Sequence, residues 1–153
     1  MSSMRSMSNS AYAVIRGGSE YPQISGRIIF KQQPNGVLVT VRVMGLPDIN
    51  DGMGIFALHI HSGDSCTGNS TDEFADAKMH YNPHNTPHPY HAGDLPPLFG
   101  NNGFAYMQVL TNRFRVNEII GKTVIIHKGV DDFTSQPAGN SGKKIACGKI
   151  IRG

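Results

Sequence analysis

Gly36-Val37-Leu38-Val39-Thr40-Val41-Arg42-Val43 is the stretch of this chain that decides its fold class. Its four valines occupy alternate positions, with Leu38, Thr40 and Arg42 between them. Because successive side chains of a strand point to opposite faces, this pattern predicts a half-buried strand whose valines face a core. The preceding Gln33-Pro34-Asn35-Gly36 has the Asn-Gly pair that is typical of a tight hairpin turn.

Similar short runs recur along the whole chain. They predict further strands at residues 11–16, 26–31, 55–61, 94–99, 103–110, 122–127 and 144–151. The run 94–99 contains Pro96 and Pro97, which restrict it to a sheet edge or a bulge. Short strands separated by turn residues in this number indicate an all-β fold, a β-sandwich or a barrel.

The bulk composition excludes several classes of partner. The 14 basic and 11 acidic residues are scattered along the 153-residue chain, and only Lys143 and Lys144 are adjacent basic residues. A nucleic-acid-binding surface would need basic residues clustered with aromatic ones, so no nucleic-acid partner is predicted. No apolar run approaches the ~20 residues of a membrane span, so no membrane partner is predicted either.

The beginning of the chain is polar and lacks the apolar middle of a signal peptide. We predict a disordered tail at residues 1–10 and a single domain at residues 11–153. The lack of an export signal predicts a cytoplasmic protein. An exported or periplasmic protein is the alternative, because a mature form could have lost such a signal.

One segment is too long for an ordinary connection. Residues 62–93 comprise 32 positions without helical or strand periodicity, whereas connections usually have about 4–6. A loop of this length needs something other than a core to order it, and this one contains His80, His84, His88 and His91. A second loop, at residues 131–142, is rich in Gly, Ser and Pro. Both loops are predicted to be functional.

The histidines are concentrated in one part of the chain. All seven lie between His59 and His127. Histidine is the commonest metal ligand among side chains, and a closed zinc site takes only four ligands. Six imidazoles with a carboxylate, Asp94, therefore indicate two ions held close together. Within His59-Ile60-His61 the two histidines share one face of a strand, while Ile60 points into the core.

The two cysteines, Cys66 and Cys147, leave two interpretations open. They are 81 positions apart and belong to no CxxC pair, which excludes a cysteine-rich zinc module. A disulfide between them would close a loop worth roughly 4 kcal/mol. Two buried free thiols are the alternative, and the count alone favours them in a cytosolic chain.

These residues resemble, in order and spacing, the copper/zinc superoxide dismutase family, and the resemblance covers nearly all of the chain from about Ala11 onward. The bacterial-type members are the more similar ones, because of the Gly-Asp-Ser-Cys stretch, the Asp-Leu-Pro stretch and the Gln-Pro of the second loop. The matching stretches are His59-Ile60-His61, His80-Tyr81-Asn82-Pro83, His88, residues 91–95, residues 123–127, Asp131-Asp132 and residues 139–148.

The resemblance implies a fold and an activity. The fold would be an eight-stranded antiparallel Greek-key β-sandwich or barrel with two long functional loops. The activity would be conversion of superoxide anion to dioxygen and hydrogen peroxide by Cu(II)/Cu(I) cycling. The alternative is a metal-binding or copper-handling protein of the same fold with little turnover. Family members occur as homodimers and as monomers, and we expect a homodimer.

The resemblance also assigns residues to a copper and a zinc ion. Asp131 would tie His59 to His88, Cys66 and Cys147 would form a disulfide, and His80 would bridge the two ions and take up a proton during turnover. The implied copper ligands are His59, His61, His80 and His127, and the implied zinc ligands are His80, His88, His91 and Asp94.

One catalytic position departs from the family pattern. Three residues before the final cysteine the family has an arginine that docks the anion, whereas this chain has Lys144. Lysine keeps the charge but lacks the planar fork of donors, so we expect a reduced rate. His84 matches no ligand and is expected to be a solvent-facing loop residue.

Overall fold

A computed structural model describes residues 9–153; most of the predicted disordered tail, residues 1–8, lies outside the described residues. The first strand begins at Ser10, one residue before the predicted domain boundary. The remaining regular elements are a 3₁₀ turn at Ala75–Ala77 and a short helix, α1 (Val116–Ile119). The strands are β1 (Ser10–Gly17), β2 (Ser25–Gln33), β3 (Gly36–Met44), β4 (Ile55–His61), β5 (Asp94–Phe99), β6 (Ala105–Thr111), β7 (Thr123–His127) and β8 (Lys144–Arg152).

All eight strands belong to one antiparallel sheet in the order β5-β4-β7-β8-β1-β2-β3-β6. The edge strands β5 and β6 approach each other, so the sheet curls into a nearly closed barrel. Consecutive strands β1, β2 and β3 are neighbours, but the chain then crosses to β4 and later returns to place β6 beside β3. This is Greek-key connectivity, and it confirms the predicted fold class. The proline-containing strand β5 is at an edge, as the sequence predicts.

The alternating stretch in β3 behaves as its pattern predicts. Its four valines are buried in the core, whereas Arg42 is exposed. Val39 pairs with Phe30 and Val41 with Ile28 across the β2–β3 hairpin. The turn lies at Gln33–Gly36, as the sequence predicts, but its central residues are Pro34 and Asn35 instead of the Asn-Gly pair, because Gly36 already pairs with Gln33.

The first long loop, residues 62–93, packs against the outer face of β4 and β7. A small apolar cluster forms there from Phe74, Ala77, Ile125 and Cys147, with Cys66 packed against it. Cys66 and Cys147 form a disulfide, so the family-based expectation is confirmed and the free-thiol interpretation is wrong. Apolar burial and a covalent bond therefore order a loop that has no regular periodicity.

Backbone hydrogen bonds also fasten this loop to β4. Ser62 N–H donates to Met79 O, and Tyr81 N–H donates to Ile60 O, both at 2.8 Å. Ile60 N–H in turn donates to Gly93 O at 2.8 Å. These bonds place His80 opposite His61 in an antiparallel bridge. Within residues 9–153, no helix has the length and apolar character that crossing a membrane would require.

Candidate metal centre

Strand β4 supplies two of the histidines. Leu58 and Ile60 point into the barrel core, so His59 and His61 point to the opposite face, where the loops cover them. His59 is 0% exposed and His61 is 2% exposed. A pair that alternation alone would place on a solvated face is therefore enclosed.

In a first cluster, His61 and His127 lie with their Nε2 atoms close together. His61 Nδ1 donates to Lys78 O at 2.8 Å, and His127 Nδ1 donates to Gly142 O at 3.0 Å. A carbonyl oxygen only accepts, so both rings carry their proton on Nδ1 and have a lone pair on Nε2. The two Nε2 atoms lie 3.4 Å apart. Two lone pairs facing each other at this separation repel, and a cation between them would turn the repulsion into attraction.

Asp131 lies between two further histidines. Its Oδ2 accepts from His59 Nε2 at 2.9 Å, and its Oδ1 accepts from His88 Nε2 at 2.7 Å. Because an ionised carboxylate cannot donate, both rings must be protonated on Nε2, and their Nδ1 atoms keep the lone pair. Asp131 thereby fixes the tautomer of two rings that come from β4 and from the first loop.

A second cluster surrounds Asp94, the first residue of β5. Its carboxylate oxygens lie 2.9 Å from His80 Nδ1, 3.0 Å from His88 Nδ1 and 3.2 Å from His91 Nδ1. His80 Nδ1 and His91 Nδ1 are 3.2 Å apart. A tetrahedral zinc ion with ligands at about 2.0 Å would hold them about 3.3 Å from each other. The distances from Asp94 to the three histidines, and from His80 to His91, are close to that spacing.

Four buried side-chain atoms within residues 9–153 make no hydrogen bond of acceptable geometry: His59 Nδ1, His80 Nε2, His88 Nδ1 and Asp94 Oδ1. The last two lie within 3.0 Å of a polar atom of the same cluster, but at angles that do not form a hydrogen bond. Unpartnered buried polar atoms cost roughly 1–3 kcal/mol each, so a set of four close together needs an explanation. All four belong to two groups of side chains whose ligand atoms converge within 4.8 Å. The donor set therefore fits two metal ions.

His59 belongs to both of these groups by distance. The groups are His59, His61, His80 and His127, and His59, His80, His88 and Asp94. Since His59 Nε2 is bonded to Asp131, only Nδ1 is available, and one lone pair serves one ion. His80 differs, because Nδ1 lies in the Asp94 cluster while Nε2 has no partner. His91 Nδ1 also lies in the Asp94 cluster, 3.2 Å from Asp94 Oδ2 and 3.2 Å from His80 Nδ1.

Burial keeps two of these histidines in the neutral form that can bind a metal. Burial, reinforced by the nearby His59, lowers the pKa of His127 to about 3. Burial likewise lowers the pKa of His61 well below its ordinary value. For Asp131, burial acts to raise the pKa, but the hydrogen bonds from His59 and His88 outweigh it and hold the pKa below the ordinary range. At pH 7, His61 and His127 are therefore neutral and Asp131 is ionised.

A pocket of about 560 Å³ opens onto the first cluster. His61, His80, His127 and Lys144 are among the residues that line its wall. Lys144 is 18% exposed in its side chain, and its Nζ lies 2.6 Å from Asp72 Oδ2 in the first loop. His84 is exposed and belongs to neither cluster.

Two residues that support the backbone of the first loop, Gln136 and Arg113, are not predicted by the sequence pattern. Gln136 bonds to both backbone groups of His88, as acceptor from N–H at 2.9 Å and as donor to the carbonyl at 2.8 Å. Arg113 donates to Pro89 O at 2.7 Å and to His91 O at 3.3 Å. Nothing in the residue pattern predicts such contacts, since each joins side chains to the backbone of a remote loop.

The fold and the two clusters define a class: a Greek-key barrel protein in which strand and loop residues form two adjacent histidine clusters that fit two ions. Residues 24–150 match the family described as copper/zinc superoxide dismutase (SODC). A Cu-Zn superoxide dismutase of Aquifex aeolicus is 33% identical over 143 residues, with 84% of this chain and 80% of that protein covered. One from Legionella pneumophila is 34% identical over 137 residues, with 84% and 79% covered.

A solved structure agrees with these relatives. The Cu/Zn superoxide dismutase from Brucella abortus is 26% identical with a TM-score of 0.77, and the match covers 92% of this chain and 98% of that one. This chain belongs to the copper/zinc superoxide dismutase family. The family predicted from the sequence is therefore confirmed, and so is the similarity to its bacterial members.

Proposed function

We propose that this protein is a superoxide dismutase whose copper and zinc ions are held by the two histidine clusters around His80. The four unpartnered buried atoms carry the proposal, because they converge in two adjacent groups on a chain of this family. The proposed copper ligands are His59, His61, His80 and His127, and the proposed zinc ligands are His80, His88, His91 and Asp94.

The donor sets match the two ions. Four imidazole nitrogens suit Cu(II), whereas three nitrogens and one carboxylate oxygen suit tetrahedral zinc. When bound, copper would supply the Cu(II)/Cu(I) couple through which two superoxide anions and two protons become dioxygen and hydrogen peroxide, and zinc would supply a fixed positive charge. Asp131 holds His59 and His88 in the tautomer that presents Nδ1.

Residues of the chain orient the ligands, carry a proton and attract the anion. The carbonyls of Lys78 and Gly142 orient His61 and His127, so their lone pairs are in place before any metal binds. His80 is the residue we propose for carrying a proton, at Nε2, because its Nδ1 lies in the other cluster. Lys144, on the wall of the pocket, attracts the superoxide anion.

Assembly and compartment are part of the proposal. A homodimer is supported by large apolar side chains exposed at the barrel edge, including Phe99 on β5 and Tyr106 and Leu110 on β6. Sedimentation of the metal-loaded protein would test it, and a monomer at micromolar concentration would contradict it. The sequence predicts a cytoplasmic location, while the disulfide between Cys66 and Cys147 supports the exported or periplasmic alternative.

The test is metal analysis of the purified protein together with a superoxide-consumption assay. We expect one copper and one zinc per chain and cyanide-sensitive activity. His61→Gln should lose copper and activity but keep zinc, and His91→Gln should lose zinc. His84→Gln is the matched control, since that loop histidine lies outside both clusters, and it should keep both ions. Full metal content without activity would instead favour the copper-handling alternative.

A further inference from the structure

The cation on the wall of the pocket already has a carboxylate partner. Lys144 Nζ lies 2.6 Å from Asp72 Oδ2, and the two residues are 72 positions apart in the sequence. Asp72 belongs to the first loop, which carries the histidines of the second cluster. An anion that enters the pocket therefore meets an ion pair instead of a free ammonium group.

Hydrogen bonds within the loop hold the Asp72 carboxylate in place independently of Lys144. Asp72 Oδ1 accepts from Phe74 N–H at 3.0 Å, and Asp72 N–H donates to Asn69 Oδ1 at 2.9 Å. The disulfide between Cys66 and Cys147 ties the same loop to β8, three residues beyond Lys144. Both carboxylate oxygens are thus in use, one on the loop backbone and one on the lysine.

We propose that Asp72 is a positioning residue that restrains Lys144. It holds the ammonium group at the loop side of the pocket, occupies one of its three N–H donors and offsets its charge. The attraction for a small anion is consequently weaker than an unpaired lysine would give. This inference rests on the proposed role of Lys144 in superoxide attraction, and Asp72 acts through that residue without touching substrate.

The neighbouring lysine provides a matched control. Lys143 forms an ion pair with Glu20, but both side chains are largely exposed and neither residue lines the pocket. Glu20→Gln removes the same unit of charge and the same kind of pair as Asp72→Asn. A difference between the two variants therefore reports the pocket and not the net charge of the protein.

The experiment measures binding of azide, a small monovalent anion, to the copper- and zinc-loaded protein through the Cu(II) absorption spectrum. At low ionic strength we expect Asp72→Asn to lower the azide dissociation constant about threefold, the size of coupling that a partly exposed pair gives. The gain should shrink in high salt because ions screen the freed charge. Glu20→Gln should change the constant by less than about 1.5-fold.

A double-mutant cycle shows whether Asp72 acts through Lys144. Lys144→Met should weaken azide binding more in the Asp72→Asn background than in the natural one, again by about threefold. Asp72→Ser is the second variant, since a serine oxygen can still accept from Phe74 N–H, and it should behave like Asp72→Asn.

Equal effects of Lys144→Met in both backgrounds would overturn the inference, as would weaker azide binding in both Asp72 variants. The superoxide assay on the unsubstituted protein keeps the two proposals apart. An inactive protein with intact coupling contradicts only the proposed function, whereas an active protein without coupling contradicts only the role of Asp72.

Discussion

Replacing Asp131 tests most directly whether this residue fixes the tautomers of His59 and His88. Asp131→Asn keeps the shape of the side chain but replaces one acceptor oxygen with an NH₂ donor. Asp131 now accepts from His59 Nε2 at 2.9 Å and from His88 Nε2 at 2.7 Å. An asparagine can accept from only one of them. The other ring then faces a donor and must shift its proton to Nδ1, the atom proposed to bind metal.

The size of the effect follows from this tautomer change. Loss of a partner that orients a metal-binding histidine typically costs about tenfold to hundredfold in metal affinity, or about 1.4–2.7 kcal/mol. We expect the loss at the site whose histidine faces the amide nitrogen, copper for His59 or zinc for His88. The other site should keep most of its affinity, because its ring still donates to the remaining oxygen.

Competition with chelators of known affinity would measure both dissociation constants in the metal-free protein. Asp132→Asn is the matched control, because Asp132 is the next residue, is exposed and bonds to the backbone of Thr134 and Ser135. It should bind both ions as the unsubstituted protein does. If Asp131→Asn bound copper and zinc with unchanged affinity, the argument that Asp131 fixes the two tautomers would be refuted.

Three further outcomes are expected. Lys144→Arg should raise superoxide turnover, because a guanidinium fork docks an anion with more donors; equal or slower turnover at matched copper content would contradict this. Reducing the disulfide, which spans 81 positions, should lower the free energy of unfolding of the metal-free protein by roughly 4 kcal/mol in guanidinium titrations; a loss below about 1 kcal/mol would disagree. Gly139→Ala should weaken zinc binding about tenfold in the chelator assay, since its Cβ would lie 2.0 Å from Asp131 Oδ1 and 2.6 Å from His88 Nε2. Gly121→Ala, also at positive φ but with nothing within 4 Å, separates backbone strain from crowding and should leave zinc affinity unchanged.

Much of the fold could be predicted because strand formation leaves a local pattern. The alternation in β3 and the proline pair in β5 gave the burial of one strand and the edge position of the other. The register of the β2–β3 hairpin was harder to predict from the sequence. Whether Asn35-Gly36 or Pro34-Asn35 forms the centre of the turn depends on which residues of β2 and β3 pair, and that is set across the sheet.

The first loop shows the limit of sequence periodicity. Residues 62–93 have no repeating pattern, yet Phe74 and Ala77 pack on Ile125, and backbone bonds join the loop to β4. Nothing in the pattern of the loop itself predicts this packing, because single apolar residues find their partners on strands distant in the sequence. Only the cysteines and histidines of the loop carried a signal, through their chemistry and their spacing.

The sequence by itself determined the residue types that can bind metal, their order along the chain and their family. These are properties of individual side chains and of short spacings. Tertiary structure alone decided which nitrogen of each ring is left free, that Asp131 joins His59 to His88, and that Lys144 is paired with Asp72. The contacts of Asp131 with His59 and His88, and of Lys144 with Asp72, join residues more than 40 positions apart. Their geometry exists only once the barrel has formed and the disulfide has tied the first loop to β8. The number of histidines therefore indicated a metal centre, whereas the folded chain gives each atom its role.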